Sequence, residues 1–174
     1  MTAWSVPDRV EPPFLGGERA ALEGWLDFHR DTLLTKCAGL DGEQLARRSV
    51  PPSTLSLLGL VRHLADVERG WFRRTLDSRT HEQVPSLFYG PDNEDGDFDD
   101  VDPDRADDDL STYRAELAAA REVAARYQLD DEVISRHGNR MNLRWIMLHM
   151  IEEYARHNGH ADLLRESIDG VTGD

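Results

Sequence analysis

The chain has 174 residues, a length that suits one domain, and its 34 Asp plus Glu against 20 Lys plus Arg residues give a formal net charge of −14. This balance argues against binding to nucleic acid or to an anionic membrane, because both require a basic surface. The single cysteine, Cys37, excludes an intrachain disulfide, and the absence of an apolar run near ~18 residues and of a signal-peptide pattern predicts a cytoplasmic protein.

Four amphipathic helices are predicted in chain order from apolar residues that recur every three to four positions. They run from Glu18 to Cys37, from Ser53 or Ser56 to Leu76, from Asp104 or Asp107 to Tyr127, and from Asn142 to Ile168. Pro51 and Pro52 prevent the first two helices from being continuous. The pattern predicts an all-α protein with the architecture of a four-helix bundle.

A segment of about residues 77–102 separates the second and third helices, and its part from 90 to 102 consists almost entirely of acidic residues, Gly and Pro. We expect a solvated crossover loop here, and partial disorder is the alternative. A connection of this length allows the two helices that it joins to run parallel. The segment lacks EF-hand spacing, since no Glu stands at the closing position after Gly96.

The last helix carries the most informative pattern, because Glu153 and His157 fall on the same apolar face as Ile146 and Met150. An ionised carboxylate on such a face is costly, and a divalent cation would offset that cost. Residues four apart on a helix can share one ion, and His63 on the second helix is the natural third ligand. Two His and one Glu leave coordination positions open, as in catalytic metal sites.

The same residues allow another interpretation, in which Glu153 and His157 form a buried hydrogen-bonded pair and His63 is a core histidine. His160, one turn beyond His157, is a candidate ligand, a support for the ligands or a substrate contact. Arg62 and Arg156 neighbour the proposed ligands, and each either holds an anionic group or pairs with the abundant acids.

Two segments, SLLGLVRHLADVERGWF (56–72) and MLHMIEEYARHNGHADLLRE (147–166), resemble the DinB/YfiT superfamily. Within it they are similar to an actinobacterial subgroup of unknown function related to the Streptomyces mini-circle protein, and distantly to the mycothiol-dependent maleylpyruvate isomerases. The resemblance covers about residues 18–168 and implies a single DinB-like domain over residues 1–174, with a long crossover between helices two and three. It also implies a divalent metal, zinc or nickel, at positions that match His63, Glu153 and His157.

The function that the resemblance implies is that of a metal-dependent enzyme which activates a low-molecular-weight thiol, with mycothiol as a candidate co-substrate. Its partners would be a small-molecule thiol and an electrophile, and its reaction that of a thiol S-transferase or a thiol-dependent isomerase. The alternative is a non-catalytic, metal-stabilised binding module with a role in stress. A homodimer is compatible with the resemblance.

Overall fold

Four long helices form the body of the protein in the computed structural model, which describes residues 8–172. The long helices are α1 (Glu18–Cys37), α3 (Leu57–Glu68), α5 (Ala106–Ala124) and α6 (Leu143–Asp169). Two short helices, α2 (Gly42–Ala46) and α4 (Gly96–Asp99), lie in the connections between them. A π-helical segment, Arg69–Leu76, continues α3, and a 3-10 turn, Pro103–Arg105, precedes α5. The prediction of an all-α fold is confirmed.

The long helices pack as two parallel pairs. Glu18 binds Arg144 near the start of α1 and α6, and Lys36 binds Asp162 near their ends. In the same way Arg62 binds Asp109 and Arg69 binds Glu116 between α3 and α5. The long connection between α3 and α5 permits their parallel direction, because the chain must return to the starting end of α3 before α5 begins.

Capping residues mark the first residue of α3 and both ends of α6. Ser56 begins α3 by accepting a hydrogen bond from the backbone of Gly59, and Asn142 begins α6 by accepting one from Trp145. Gly170 ends α6 with a left-handed φ of 79°, a conformation that glycine adopts readily. Asn158 and Gly159 lie inside α6, although an Asn-Gly pair usually indicates a turn.

The sequence did not predict the π-helical segment. The backbone N–H of Asp77 donates to the carbonyl of Phe72, and the Thr75 hydroxyl donates to the carbonyl of Gly70, both across five residues. The wider turn changes the angular spacing of the side chains on this helix. Trp71 and Arg74, both on this segment, border a large cleft described below.

Two further elements differ from the predictions. Strands β1 (Glu132–Ile134) and β2 (Arg140–Asn142) form an antiparallel hairpin, and three residues each are too few to show an alternating pattern. The solvated loop predicted within 77–102 is wrong at Gly96 and Asp97, which are buried in α4. None of the helices within residues 8–172 combines the length and apolar character that crossing a membrane requires.

A buried ion pair joins α1 to α3 inside the helical core. Nε and Nη2 of Arg30 donate hydrogen bonds to Oε1 and Oε2 of Glu68, each over 2.7 Å. Tyr154 donates to the same carboxylate over 2.9 Å, and the Tyr113 hydroxyl lies 2.9 Å from that of Tyr154. Glu68 is fully buried, so its charge depends on these partners.

We expect Glu68→Ala to lower the free energy of unfolding by about 3–5 kcal/mol, because it leaves the charge of Arg30 buried without its main partner. Urea unfolding followed by circular dichroism measures the loss. The control is Glu23→Ala, which removes a half-exposed partner of Arg19 and should cost less than about 1 kcal/mol. Equal losses in the two variants would contradict a structural role for the buried pair.

Candidate metal centre and adjoining cleft

Helices α3 and α6 bring His63, Glu153 and His157 together. Each offers one ligand atom, and the three atoms all lie within 4.8 Å of one another. His157 is buried, whereas His63 and Glu153 are partly exposed. The arrangement can hold one cation with an open side, and it places the ligands predicted from spacing around one point. Metal binding itself stays a prediction.

The carboxylate of Glu153 lies between two histidines of its own helix. Its Oε2 is 3.4 Å from Nε2 of His157, and its Oε1 is 3.6 Å from Nε2 of His149. Two ligand atoms bound at ~2.1 Å to a tetrahedral zinc ion lie about 3.4 Å apart. The first distance therefore matches a pair that shares one ion, and it exceeds the usual length of a direct hydrogen bond.

His63 is fixed by a carboxylate that the sequence analysis did not single out. Its Nδ1 lies 2.8 Å from Oδ2 of Asp97, so Nε2 is the ring nitrogen left for a metal. Metal-binding histidines commonly donate their other N–H to a carboxylate, which fixes the tautomer and the ring plane. Phe98 stacks on the same imidazole with ring centroids 5.1 Å apart.

Helix α4 positions Asp97 and Phe98 over α3. Gly59 permits this close contact, since a Cβ there would lie 3.0 Å from the Phe98 ring. The side chain of Arg62 on α3 also holds α4 in place, because it donates hydrogen bonds to the backbone carbonyls of Gly96 and Asp97, at 2.8 and 3.0 Å. The buried Arg62 also binds Asp109, so it supports the site through Asp97.

His157 is neutral at neutral pH, because burial lowers its pKa to about 4, with further contributions from the charges of His63 and His160. Neutral imidazole is the form that binds metal ions. Nδ1 of His157 and Nδ1 of His160 are buried without a hydrogen-bond partner among the described residues. Nε2 of His157, which lies 3.4 Å from Glu153, is the ring nitrogen that could bind a cation.

His160 lies close enough to affect His157, with ring centroids 5.4 Å apart. It lies outside the three-residue group and does not border the cleft, so a supporting role through His157 fits the geometry better than a substrate contact. Arg156 is exposed and binds Glu152, while its nearest approach to Glu153 is 4.0 Å. Of the two roles that the sequence left open for Arg62 and Arg156, holding an anionic group or pairing with acids, the structure shows the pairing with acids.

A second set of potential ligands, His149, Glu152 and Glu153, lies beside the first and shares Glu153 with it. The ring of His149 packs against Trp71 and Trp145, with centroids 4.5 and 5.1 Å away. Glu152 is exposed and already paired with Arg156. The first set is therefore the better candidate, since it combines greater burial with an orienting carboxylate.

A cleft of about 610 Å³ opens beside His63 and Asp97. Its lining runs along α3 and the π-helical segment and includes residues 79–81 and the tip of the β-hairpin. Cys37 lies outside this cleft and is buried, and burial raises the pKa of its thiol to about 12. The thiol of Cys37 is thus a poor nucleophile.

Comparison with known proteins gives one family match. The family model for mycothiol-S-transferase matches residues 21–170, a stretch that contains both helices of the candidate metal centre. A search among curated proteins finds no match.

We expect Asp97→Asn to weaken divalent-metal binding by about 10–100-fold, because His63 loses the carboxylate that orients its ring. Isothermal titration with zinc measures the affinity. Asp99→Asn is the matched control, since Asp99 lies on the same short helix and binds Arg48 at the surface. Equal affinities in Asp97→Asn and the control would show that Asp97 does not support the site.

Proposed function

The chain belongs to the mycothiol-S-transferase family, and from this premise we propose that it joins a low-molecular-weight thiol to an electrophile with the help of a divalent cation held by His63, Glu153 and His157. The observation that carries the proposal is the convergence of two imidazoles and one carboxylate within 4.8 Å, one of which, His63, borders a cleft. Mycothiol is the proposed thiol, because the family takes its description from it.

The residues fit a zinc ion, with nickel as the alternative. Two imidazoles and one carboxylate form a donor set used by catalytic zinc sites, which keep a further position open. When bound, such a cation supplies positive charge that lowers the pKa of a thiol and so increases the thiolate fraction at neutral pH. A reducing compartment keeps low-molecular-weight thiols available, so we propose a cytoplasmic location.

The protein's own residues orient the ligands and exclude water. Asp97 holds the proton on Nδ1 of His63, and Phe98 covers the face of that imidazole. The burial of His157 keeps its ring neutral. In the reaction the thiol loses its proton and its sulfur forms a bond with the electrophile, which expels a leaving group or takes up a proton. The cleft of about 610 Å³ has room for both reactants.

Metal content tests the ligand set. We expect about one divalent ion per chain in the wild-type protein and a loss of that ion in His63→Ala, Glu153→Ala and His157→Ala, because three ligands cannot be reduced to two without a large fall in affinity. Elemental analysis after loading with zinc and desalting gives the ratio. Glu152→Ala is the matched control, since it removes the neighbouring carboxylate and should retain the ion.

Two results would overturn the ligand set. One is a wild-type protein that retains no ion after loading with zinc. The other is an equal loss of metal in Glu152→Ala and Glu153→Ala, which would place the ion at His149.

Turnover tests the reaction. With mycothiol and an electrophile such as monochlorobimane, we expect the loss of free thiol to be faster with the protein than without it. A chelator should abolish the difference and zinc should restore it, because the cation supplies the charge that favours the thiolate. Liquid chromatography of the conjugate gives the rate.

Other outcomes point to other functions. A protein that needs the thiol but does not consume it would be a thiol-dependent isomerase. A protein that binds metal, unfolds without it and turns nothing over would be the metal-stabilised binding module. Either result contradicts the proposed transferase.

A further inference from the structure

The cleft beside His63 is acidic at one end. Glu94 and Asp95 border it immediately before Asp97, the residue that binds His63. One side of the cleft is formed by α3 and the π-helical segment, from His63 to Arg74. Eleven residues of helix separate these two by roughly 16 Å.

The opposite end of the cleft is basic. Arg74 lies on the π-helical segment, and Arg79 follows the end of that segment. The β-hairpin packs against the same segment and brings Arg136 to the cleft. Three guanidinium groups thus border one part of a cleft in a chain whose net charge is −14.

These arginines are incompletely neutralised. Arg136 donates to Nε2 of His137 over 3.0 Å, and it has no carboxylate partner among the described residues. Arg74 donates to neutral oxygens of Val84, Ser86 and Tyr89, at 3.2–3.4 Å. The carboxylate of Asp66 also borders the cleft and interacts with the charge of Arg74, but its hydrogen bonds go to the backbone of Leu87 and Phe88.

Arg79 binds Asp77, but Asp77 also binds Arg126, so two guanidinium groups share one carboxylate. This end of the cleft therefore keeps an excess of positive charge.

We propose that the basic end of the cleft binds an anionic group, a carboxylate, sulfonate or phosphate, with Arg136 as its main contact and Arg74 beside it. Guanidinium groups bind such anions through paired hydrogen bonds. Glu94 and Asp95 repel an anion from the end near His63. An extended substrate would therefore bind with its reacting end towards His63 and its charged end towards the hairpin.

The identification of this molecule as a substrate rests on the proposed function, whereas anion binding does not. The two parts are tested separately. For Arg62 and Arg156 the sequence left two roles open, contact with an anionic group or pairing with acids, and both are paired with acids. The proposed anion contact is therefore Arg136 of the β-hairpin.

Two fluorescent probes that differ in one charged group test anion binding. The anionic probe is 8-anilinonaphthalene-1-sulfonate, and N-phenyl-1-naphthylamine has the same rings without the sulfonate. We expect Arg136→Gln to weaken binding of the anionic probe about tenfold and to leave the neutral probe unchanged, since one charge-assisted hydrogen bond is lost. Arg136→Lys keeps the charge but loses the paired hydrogen bonds, so its affinity for the anionic probe should lie between those of the wild type and Arg136→Gln.

Arg140→Gln is the matched control, because Arg140 lies on the same hairpin, binds Glu132 and does not border the cleft. It removes the same charge from the protein as a whole. Equal weakening in both variants would show a long-range charge effect only, and equal weakening for both probes would show a packing effect only. Either result, or no binding of the anionic probe to the wild-type protein, overturns the proposal.

A kinetic experiment tests the assignment to a substrate. With 6-maleimidohexanoic acid and N-hexylmaleimide as electrophiles, Arg136→Gln should raise KM about tenfold for the acid alone, with kcat unchanged. Equal KM changes for the two electrophiles would contradict it. Absence of turnover in the wild-type protein would overturn the transferase function, while the probe titrations would still decide whether the cleft binds anions.

Discussion

The carboxylate of Glu153 is the constraint on which the site depends, because it is held largely out of water beside a neutral histidine. Its nearest basic groups are His157 at 3.4 Å, His149 at 3.6 Å and Arg156 at 4.0 Å, and none of these distances is that of a short ion pair. A partly buried carboxylate without a close partner is costly. A cation held between Glu153, His157 and His63, as we propose, would remove that cost and would supply the chemistry of the proposed reaction.

The acidic segment between α3 and α5 supports this centre. It lets the two helices run parallel, and it also brings Asp97 to His63 and Phe98 over the imidazole ring. Arg62 holds the backbone of this segment from inside the protein. A residue that looks like solvated charge in the sequence, Asp97, thus orients His63, and the neighbouring Glu94 and Asp95 give the cleft its acidic end.

The sequence predicted the long helices well because each carries an apolar stripe, and because two of them, α3 and α6, begin at the recognisable caps Ser56 and Asn142. It also predicted the grouping of Glu153 with His157, since spacing on one helix fixes which side chains share a face. His63 required the further assumption that its helix faces α6. The prediction of a DinB-related family is confirmed by the family match, whereas the mini-circle subgroup stays a prediction.

The missed features depend on contacts between distant segments. Asp97 is one of many acids in its segment, and only its tertiary contacts distinguish it, among them the hydrogen bond from Arg62 to its backbone and the packing of Phe98 against Gly59. Arg136 becomes a cleft residue because the hairpin packs on the π-helical segment, and neither element leaves a periodic pattern in the sequence. Local spacing carries no information about such contacts.

The most direct test of the account is anomalous diffraction at the zinc edge from crystals of the zinc-loaded protein. The account predicts a strong peak about 2.0–2.2 Å from one ligand atom each of His63, Glu153 and His157. A peak bound by His149 and Glu152 without His63, or no peak at this junction of α3 and α6, would contradict it.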